Sequence, residues 1–291
     1  MELRDGSRVV GTSVEKSFRF HSALLGGIKL DVKDIRAVEW GSTNSAKLTT
    51  VNGDTLTVSL LGSGLEIKTG FGKVELAVDS MRKLTVTTGS IGKNDIGLVA
   101  HFAFDGSSED TSGNGLNGSD HEITYSTGVV GTAAIFNGRG SFISVPDAPA
   151  LNLTGPFTLA AWFRFDFGGT WNPRIFHKGN SYQIYTVGLG SVRNLAFSCT
   201  AGGVTGATVP AGQWTHVVGV FDGTTVRLYV NGQLVGQAPA SGSIEVNDHD
   251  LTIGRNAEQE TDFLKGAIDE ARIYNRALLP DEIKAIYNDQ K

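Results

Sequence analysis

An all-β chain in two parts is what this sequence predicts, and three observations carry it. Thirty-eight glycines beside only 19% charged residues suit many short strands joined by tight turns. Apolar and polar residues alternate with period two, as in Ile28/Leu30/Val32 and Val74/Leu76/Val78, which places one face of a strand on a core. Asp-Gly and Asn-Gly pairs punctuate these runs, and both accept the positive φ angles of a two-residue hairpin. The length of 291 residues suits two domains, with enough core to fold without metal or disulfide.

Residues 1–88 read as a small β domain built from two similar units. Ile28, Leu30, Val32, Arg36 and Val38 return at Val74, Leu76, Val78, Arg82 and Leu84, a constant offset (74 − 28 = 46). The turns Asp5-Gly6-Ser7 and Asn52-Gly53-Asp54 correspond more loosely. One such unit cannot bury its apolar face alone, so the two are expected to pack as a pseudo-symmetric β-barrel or β-sandwich, with Asp31 and Lys33 pointing to water. Nothing in it has a catalytic pattern; attachment, assembly or contact with a protein partner is its expected role. Residues 89–96 have the small polar composition of a linker.

The second domain, 97–291, opens with Leu98, Ala100, Phe102 and Phe104 on one face and His101 on the other. Residues 133–138 and 141–145 suggest a hairpin. Phe157–Phe165 is apolar on both faces except at Thr158 and Arg164, which marks a central strand. Tyr182, Ile184 and Thr186 share one face of the next strand; Gln183, Tyr185 and Val187 share the other. Asp222-Gly223 and Asn231-Gly232 divide residues 217–235 into a three-stranded meander. Near the end, Pro280 with Asp281 and Glu282 begins a helix whose Ile283, Ile286 and Tyr287 lie on one face.

Asp269 and Glu270 sit together in a strand-like run, where buried carboxylates require a cation or several donors to offset their desolvation. Upstream, Asp105-Gly106 and Asp110-Thr111-Ser112-Gly113-Asn114-Gly115 form a loop rich in oxygen donors. One reading is a structural calcium clasp made of Asp105, Asp110, Asn114, Asp269 and Glu270. The other is an Asx-turn loop held by its own hydrogen bonds. Together with Gln213-Trp214-Thr215-His216-Val217-Val218 and Gly266-x-Ile268-Asp269-Glu270-x-Arg272-Ile273-Tyr274, these motifs resemble the laminin G-like, concanavalin A-type jelly roll of bacterial secreted proteins, over residues 97–291. The resemblance implies an antiparallel β-sandwich and an exported protein of the secreted or cell-envelope kind. Met1–Gly6 open directly on a strand pattern, so a leader is expected outside this sequence.

A fold of this kind hosts lectins, adhesion modules, hydrolases and spacers, so function rests on the site. Residues 167–174 form a glycine-rich loop carrying Trp171 outside any alternation. A sugar ring could stack there, with Asn172, Arg174, His177 and Tyr182 nearby, or Trp171 could fold back as a lid on the sandwich edge. A carbohydrate or surface glycoprotein is the expected partner.

Glycoside hydrolysis requires two carboxyl groups about 5 to 9.5 Å apart across a groove. Neighbours on a regular strand face opposite ways, so Asp269-Glu270 does not supply such a pair. No nucleophile elbow, histidine-rich metal spacing or phosphate loop occurs, and the expected module is non-catalytic, with an assembly role as the alternative. A net charge of −5 argues against nucleic acid. No apolar run reaches a membrane-spanning length. The single cysteine, Cys199, reads as a small core residue.

Overall fold

The computed structural model describes residues 1–6, 9, 12–41, 45–50, 54–62, 64–69, 72–86 and 96–291. They form two compact units, Met1–Ile96 and Gly97–Lys291. Ser7, the Asn52-Gly53 turn, residues 89–95 of the expected linker and the side chain of Lys33 lie outside the described residues.

The first unit holds short strands β1 (Glu2–Leu3), β2 (Thr12–Ser13), β3 (Ser17–Ser22), β4 (Gly26–Asp31), β5 (Ile35–Trp40), β6 (Ser45–Thr50), β7 (Thr55–Leu60), β8 (Gly64–Thr69), β9 (Gly72–Ala77) and β10 (Met81–Thr85). A seven-stranded sheet runs β1-β10-β5-β6-β7-β3-β4, and a three-stranded sheet runs β2-β8-β9. Among the described residues the two sheets do not close into a barrel. Both sheets contribute to one core, which includes Phe18, Phe20, Val38, Leu48, Leu65, Leu76 and Met81. The sequence repeat has a structural counterpart: β4, the 3-10 turn Val32–Asp34 and β5 recur as β9, Val78–Ser80 and β10. The two halves meet where β5 and β10 pair antiparallel around Val38 and Leu84.

The second unit is built from β11 (Leu98–Phe102), β12 (Ser119–His121), β13 (Thr124–Thr127), β14 (Thr132–Asn137), β15 (Phe142–Val145), β16 (Phe157–Phe165), β17 (Arg174–His177), β18 (Tyr182–Val187) and β19 (Val192–Cys199). It continues with β20 (Gly202–Pro210), β21 (Thr215–Phe221), β22 (Thr225–Val230), β23 (Gln233–Pro239), β24 (Leu251–Ile253), β25 (Lys265–Tyr274) and α1 (Pro280–Asp289). One sheet runs β13-β14-β25-β16-β21-β22-β23 with β11 also on β25; the facing sheet runs β12-β15-β24-β17-β18-β19-β20.

The double apolar character of β16 follows from its position. Phe157, Leu159, Ala161, Phe163 and Phe165 enter the inter-sheet core, while Ala160 packs outward with Ile283 and Ile286 of α1. The helix is pinned at its start by Glu282, whose carboxylate accepts the Leu279 N–H at 2.8 Å and both Arg276 amino groups at 2.8 and 3.1 Å. Tyr287 stacks on Trp162 with ring centroids 5.5 Å apart. The Asp-Gly and Asn-Gly turns join β21, β22 and β23 into a meander, with Asn231 and Gly232 at φ 50° and 75°.

The expected hairpin at 133–145 is not formed. β14 pairs with β13 and β25, whereas β15 pairs with β12 and β24 in the other sheet. The intervening turn carries the chain across the sandwich, and Asn137 Oδ1 holds it by accepting the N–H groups of Arg139 and Gly140.

Candidate functional site

The residues expected to form one clasp fall into three places. Asp110 lies in the first: Oδ1 accepts the N–H groups of His101 and Ser112 at 3.0 and 2.9 Å, and Oδ2 accepts that of Leu116 at 3.0 Å. Asn114 belongs to the same loop and donates to the carbonyls of Leu98 and Val99. These are the bonds of the Asx-turn reading: both Asp110 oxygens accept backbone N–H groups, and Asn114 is held through its amide nitrogen.

Glu270 lies in the second place, beneath the end of α1. It accepts from Arg272 and Gln290 and sits 3.2 Å from His101 Nε2. Burial opposes its charge, but His101, Arg272 and Gln290 outweigh burial and hold its carboxyl below the usual range.

Asp105 and Asp269 share the third place, the turn at residues 128–132. Asp105 Oδ1 accepts the Thr132 N–H at 2.8 Å, and Asp269 Oδ2 accepts those of Val129 and Val130 at 2.7 and 3.0 Å. Gly128 and Gly131 make room: a Cβ on either would overlap Asp269 Oδ2 or Asp105 Oδ1 respectively. Asp269 Oδ1 is buried without a partner. Burial pushes this carboxyl up to about 6, against the two N–H donors, and the Glu270 charge adds to the rise. Asp269 and Glu270 both escape the core because β25 bulges here, with Glu270 at φ 51° and a register shift against Ala160–Trp162. Regular alternation therefore does not apply to this pair. Among the described residues no group of three or more His, Cys, Asp or Glu side chains is arranged to hold a metal.

The aromatic loop is at the surface. Trp171 is 55% exposed and Phe167 68%, and Leu189 and Val192, also exposed, lie on the adjoining 188–192 stretch. The two stretches are joined by the Gly188 N–H to the Trp171 carbonyl at 3.1 Å. Beneath them Arg193 is buried and donates to the carbonyls of Gly168 and Thr170 at 2.8 and 2.9 Å, its guanidinium 5.0 Å from the Phe165 ring centre. Nothing in the local sequence marks Arg193 as this support, because the loop it holds lies two strands upstream.

Beside the loop, Arg174 lies over the Tyr185 ring at 4.9 Å and faces Asp262 at 3.4 Å. Asn172 Oδ1, Arg174 Nε and Gln183 Oε1 are buried and have no protein partner. Tyr185 and Gln183 share the outer face of β18, and β19 presents Ala196 and Ser198 opposite them. This face thus joins Trp171, Asn172 and Arg174 to Tyr185 and Gln183.

Tyr182 and His177, expected among the ligand contacts, are not accessible. The alternation of β18 turns Tyr182 inward, where its hydroxyl donates to the Leu151 carbonyl at 3.0 Å. His177 is covered by the chain after β24, and its Nδ1 accepts the Ala257 N–H at 2.9 Å.

His177 and His216 carry a pH prediction. Burial lowers each from the ordinary 6.5 to about 3, aided at His177 by Arg174 and His249 and at His216 by Arg272. Below 6.5 the unfolded chain binds protons that the folded chain refuses, so stability falls as pH drops, by about 1.4 kcal/mol per unit for each histidine. Asp269 acts oppositely between about 6 and 3.8, where the folded state holds the extra proton. The two histidines outweigh it. Thermal unfolding should show a falling Tm from pH 7 to pH 4, and His216→Phe should flatten the fall; a pH-independent Tm would contradict the assignment.

Two open antiparallel sheets packed face to face around a phenylalanine-rich core define a jelly-roll sandwich. A family model described as the concanavalin A-like lectin/glucanases superfamily matches residues 137–284, and the chain belongs to that superfamily. Domain 4 of AbnA, a GH43 extracellular arabinanase from Geobacillus stearothermophilus solved with arabinotriose, is 27% identical with a TM-score of 0.54. That match covers 65% of this chain and 98% of the domain. The binding domain of Paraclostridial Mosquitocidal Protein 1 is 16% identical with a TM-score of 0.54, over 68% of this chain and 53% of that one. The binding domain of Botulinum Neurotoxin DC, in complex with SialylT, is 13% identical with a TM-score of 0.52 and the same two coverages, 68% and 53%. The two toxin domains share the fold. No curated protein matches the chain. Among the described residues no helix is long and apolar enough to cross a membrane.

Proposed function

We propose that the jelly roll is a non-catalytic module of an exported protein, binding carbohydrate or a surface glycoprotein on the face formed by Trp171, Asn172, Arg174, Gln183 and Tyr185. The observation that carries this reading is the exposed Trp171, on a loop that also exposes Phe167 and lies beside Arg174 stacked on Tyr185. Sugars are recognised by an aromatic face for the ring together with polar groups for the hydroxyls. The arabinotriose complex of the AbnA domain supports arabino-oligosaccharides as the first ligands to try. The non-catalytic reading is supported by Glu270, whose carboxylate is committed to His101, Arg272 and Gln290, and by Asp262, which faces Arg174.

Calcium enters the proposal at one place. Asp105 and Asp269 would hold the ion at the 128–132 turn, where the buried Asp269 Oδ1 lacks a partner, and the ion would staple that turn to β25. Asp110, Asn114 and Glu270 are held by other partners and stand outside this site.

The test is a glycan and polysaccharide panel, run with calcium and with chelator, followed by titration calorimetry of the strongest hit. Trp171→Ala is expected to weaken binding about tenfold or more, since an aromatic anchor contributes on the order of 1.4 kcal/mol or above. Silence across the panel in both arms, or full affinity in Trp171→Ala, would remove the carbohydrate reading.

A further inference from the structure

We propose that the loops 167–171 and 188–192 form a lipid-docking tip, which seats Phe167, Trp171, Leu189 and Val192 in the interfacial layer of a membrane. Only Trp171 is shared with the proposed carbohydrate face, and lipid docking does not depend on sugar binding. Leu189 and Val192 are 60% and 51% exposed, on the loop that the Gly188 N–H ties to the exposed Trp171. Single exposed apolar residues are ordinary on a surface; four of them on two joined loops make a patch that calls for a partner. Neither loop carries a charged side chain: one reads Phe-Gly-Gly-Thr-Trp and the other Gly-Leu-Gly-Ser-Val.

The backbone points to lipid as that partner. A sugar or a protein surface offers hydrogen bonds to the groups it covers, whereas a water-poor lipid layer does not, so a segment entering it must bring its polar backbone already paired. The carbonyls of this tip are paired from within the protein. Those of Gly168 and Thr170 accept from buried Arg193, that of Phe167 accepts from Lys265 Nζ at 3.0 Å, that of Trp171 accepts the Gly188 N–H, and that of Ser191 accepts the Ala211 N–H at 2.8 Å. The Thr170 hydroxyl donates inward as well, to the Phe263 carbonyl at 3.2 Å. Polar groups are thus drawn toward the sandwich while the large apolar side chains are left outside.

Composition and charge agree with shallow docking. Tryptophan and phenylalanine settle at the depth of the lipid headgroups, with aliphatic side chains beside them. Lys265 is exposed next to the loop, and its ammonium has three donors, of which one goes to the Phe167 carbonyl. The others can reach a lipid phosphate at the rim of the tip.

Flotation of the full chain with phosphatidylcholine vesicles tests the proposal. The chain is expected to float with the vesicles, and Phe167→Ser and Leu189→Ser should each weaken that partition about tenfold. Both positions are exposed, so melting should not change. Lipids brominated in their acyl chains should quench the parent's emission and not that of Trp171→Phe, which keeps an apolar side chain and should still float. No flotation, flotation indifferent to both serine variants, or emission quenched equally in Trp171→Phe would overturn the proposal. Self-association without lipid that Phe167→Ser abolishes would also overturn it, by giving the tip to a second copy of this chain. The two readings of this end of the sandwich separate cleanly: glycan binding retained in Phe167→Ser beside absent flotation leaves the carbohydrate face alone, and flotation beside a silent glycan panel leaves the lipid tip alone.

Discussion

Lys178→Ala is expected to cost the jelly roll about 3–5 kcal/mol, lowering its Tm by about 10 °C. The side chain is fully buried, and Nζ donates to Asp147 Oδ1 at 2.7 Å, to the Asn247 carbonyl at 3.2 Å and to the His249 carbonyl, with Asn247 Oδ1 at 3.3 Å. An ammonium here does what a bound cation would do: it draws oxygen atoms from two distant segments, 147 and 247–249, onto the end of β17. Asn247 closes the arrangement by donating to the Lys178 carbonyl and to Ser181 Oγ at 3.1 and 2.8 Å. Removing the charge leaves these acceptors turned inward without a donor, the costly half of breaking a buried pair. Lys178→Met keeps most of the volume and should lose nearly as much, which separates the charge from the packing. A loss below about 1 kcal/mol in both variants, measured by calorimetry, would show that the oxygens rehydrate freely.

Asp110→Ala should cost about 3 kcal/mol, and by the same amount with calcium as with chelator. Three backbone N–H groups, of His101, Ser112 and Leu116, lose a charged acceptor together, and the loop that folds 110–116 back onto β11 loses its anchor. The calcium-dependent variant is instead Asp269→Asn. Saturating calcium should raise the parent's stability by about 2.7 kcal/mol at one hundred times the dissociation constant, and Asp269→Asn should abolish that gain. With chelator at pH 7 the same variant should melt no lower than the parent, because it no longer buries a carboxylate whose charge the fold disfavours. A calcium gain lost in Asp110→Ala and kept in Asp269→Asn would restore the clasp to the 110–114 loop.

The sequence by itself determined the elements whose cause is local. Period-two alternation located β4, β9 and β18; the Asp-Gly and Asn-Gly pairs located the meander from β21 to β23; Pro280 and its acidic neighbours located α1. The offset of 46 residues announced β4 and β9 as equivalents, since the same pattern yields the same strand and 3-10 turn. The doubly apolar run at 157–165 announced a central strand.

Only the tertiary structure decided which side chains meet. The run around Asn137 contains a good turn, but the sandwich needs a crossing there, and pairing with β24 instead of β14 depends on residues more than one hundred positions away. Adjacent carboxylates at 269 and 270 take one side because a bulge breaks alternation, and a bulge is set by the partner strand. The five oxygen-rich residues look like one site in sequence because all have the right chemistry. Space divides them among three, according to which N–H groups and cations lie nearby. Tyr182 and His177 were near Trp171 in sequence, yet the strand pleat buries one and the chain after β24 covers the other. Arg193 and Lys178 become visible only when the carbonyls they hold have been brought to them. Backbone preference is a property of a few consecutive residues; hydrogen-bond satisfaction is a property of everything within 3 Å or so, and the fold chooses those neighbours.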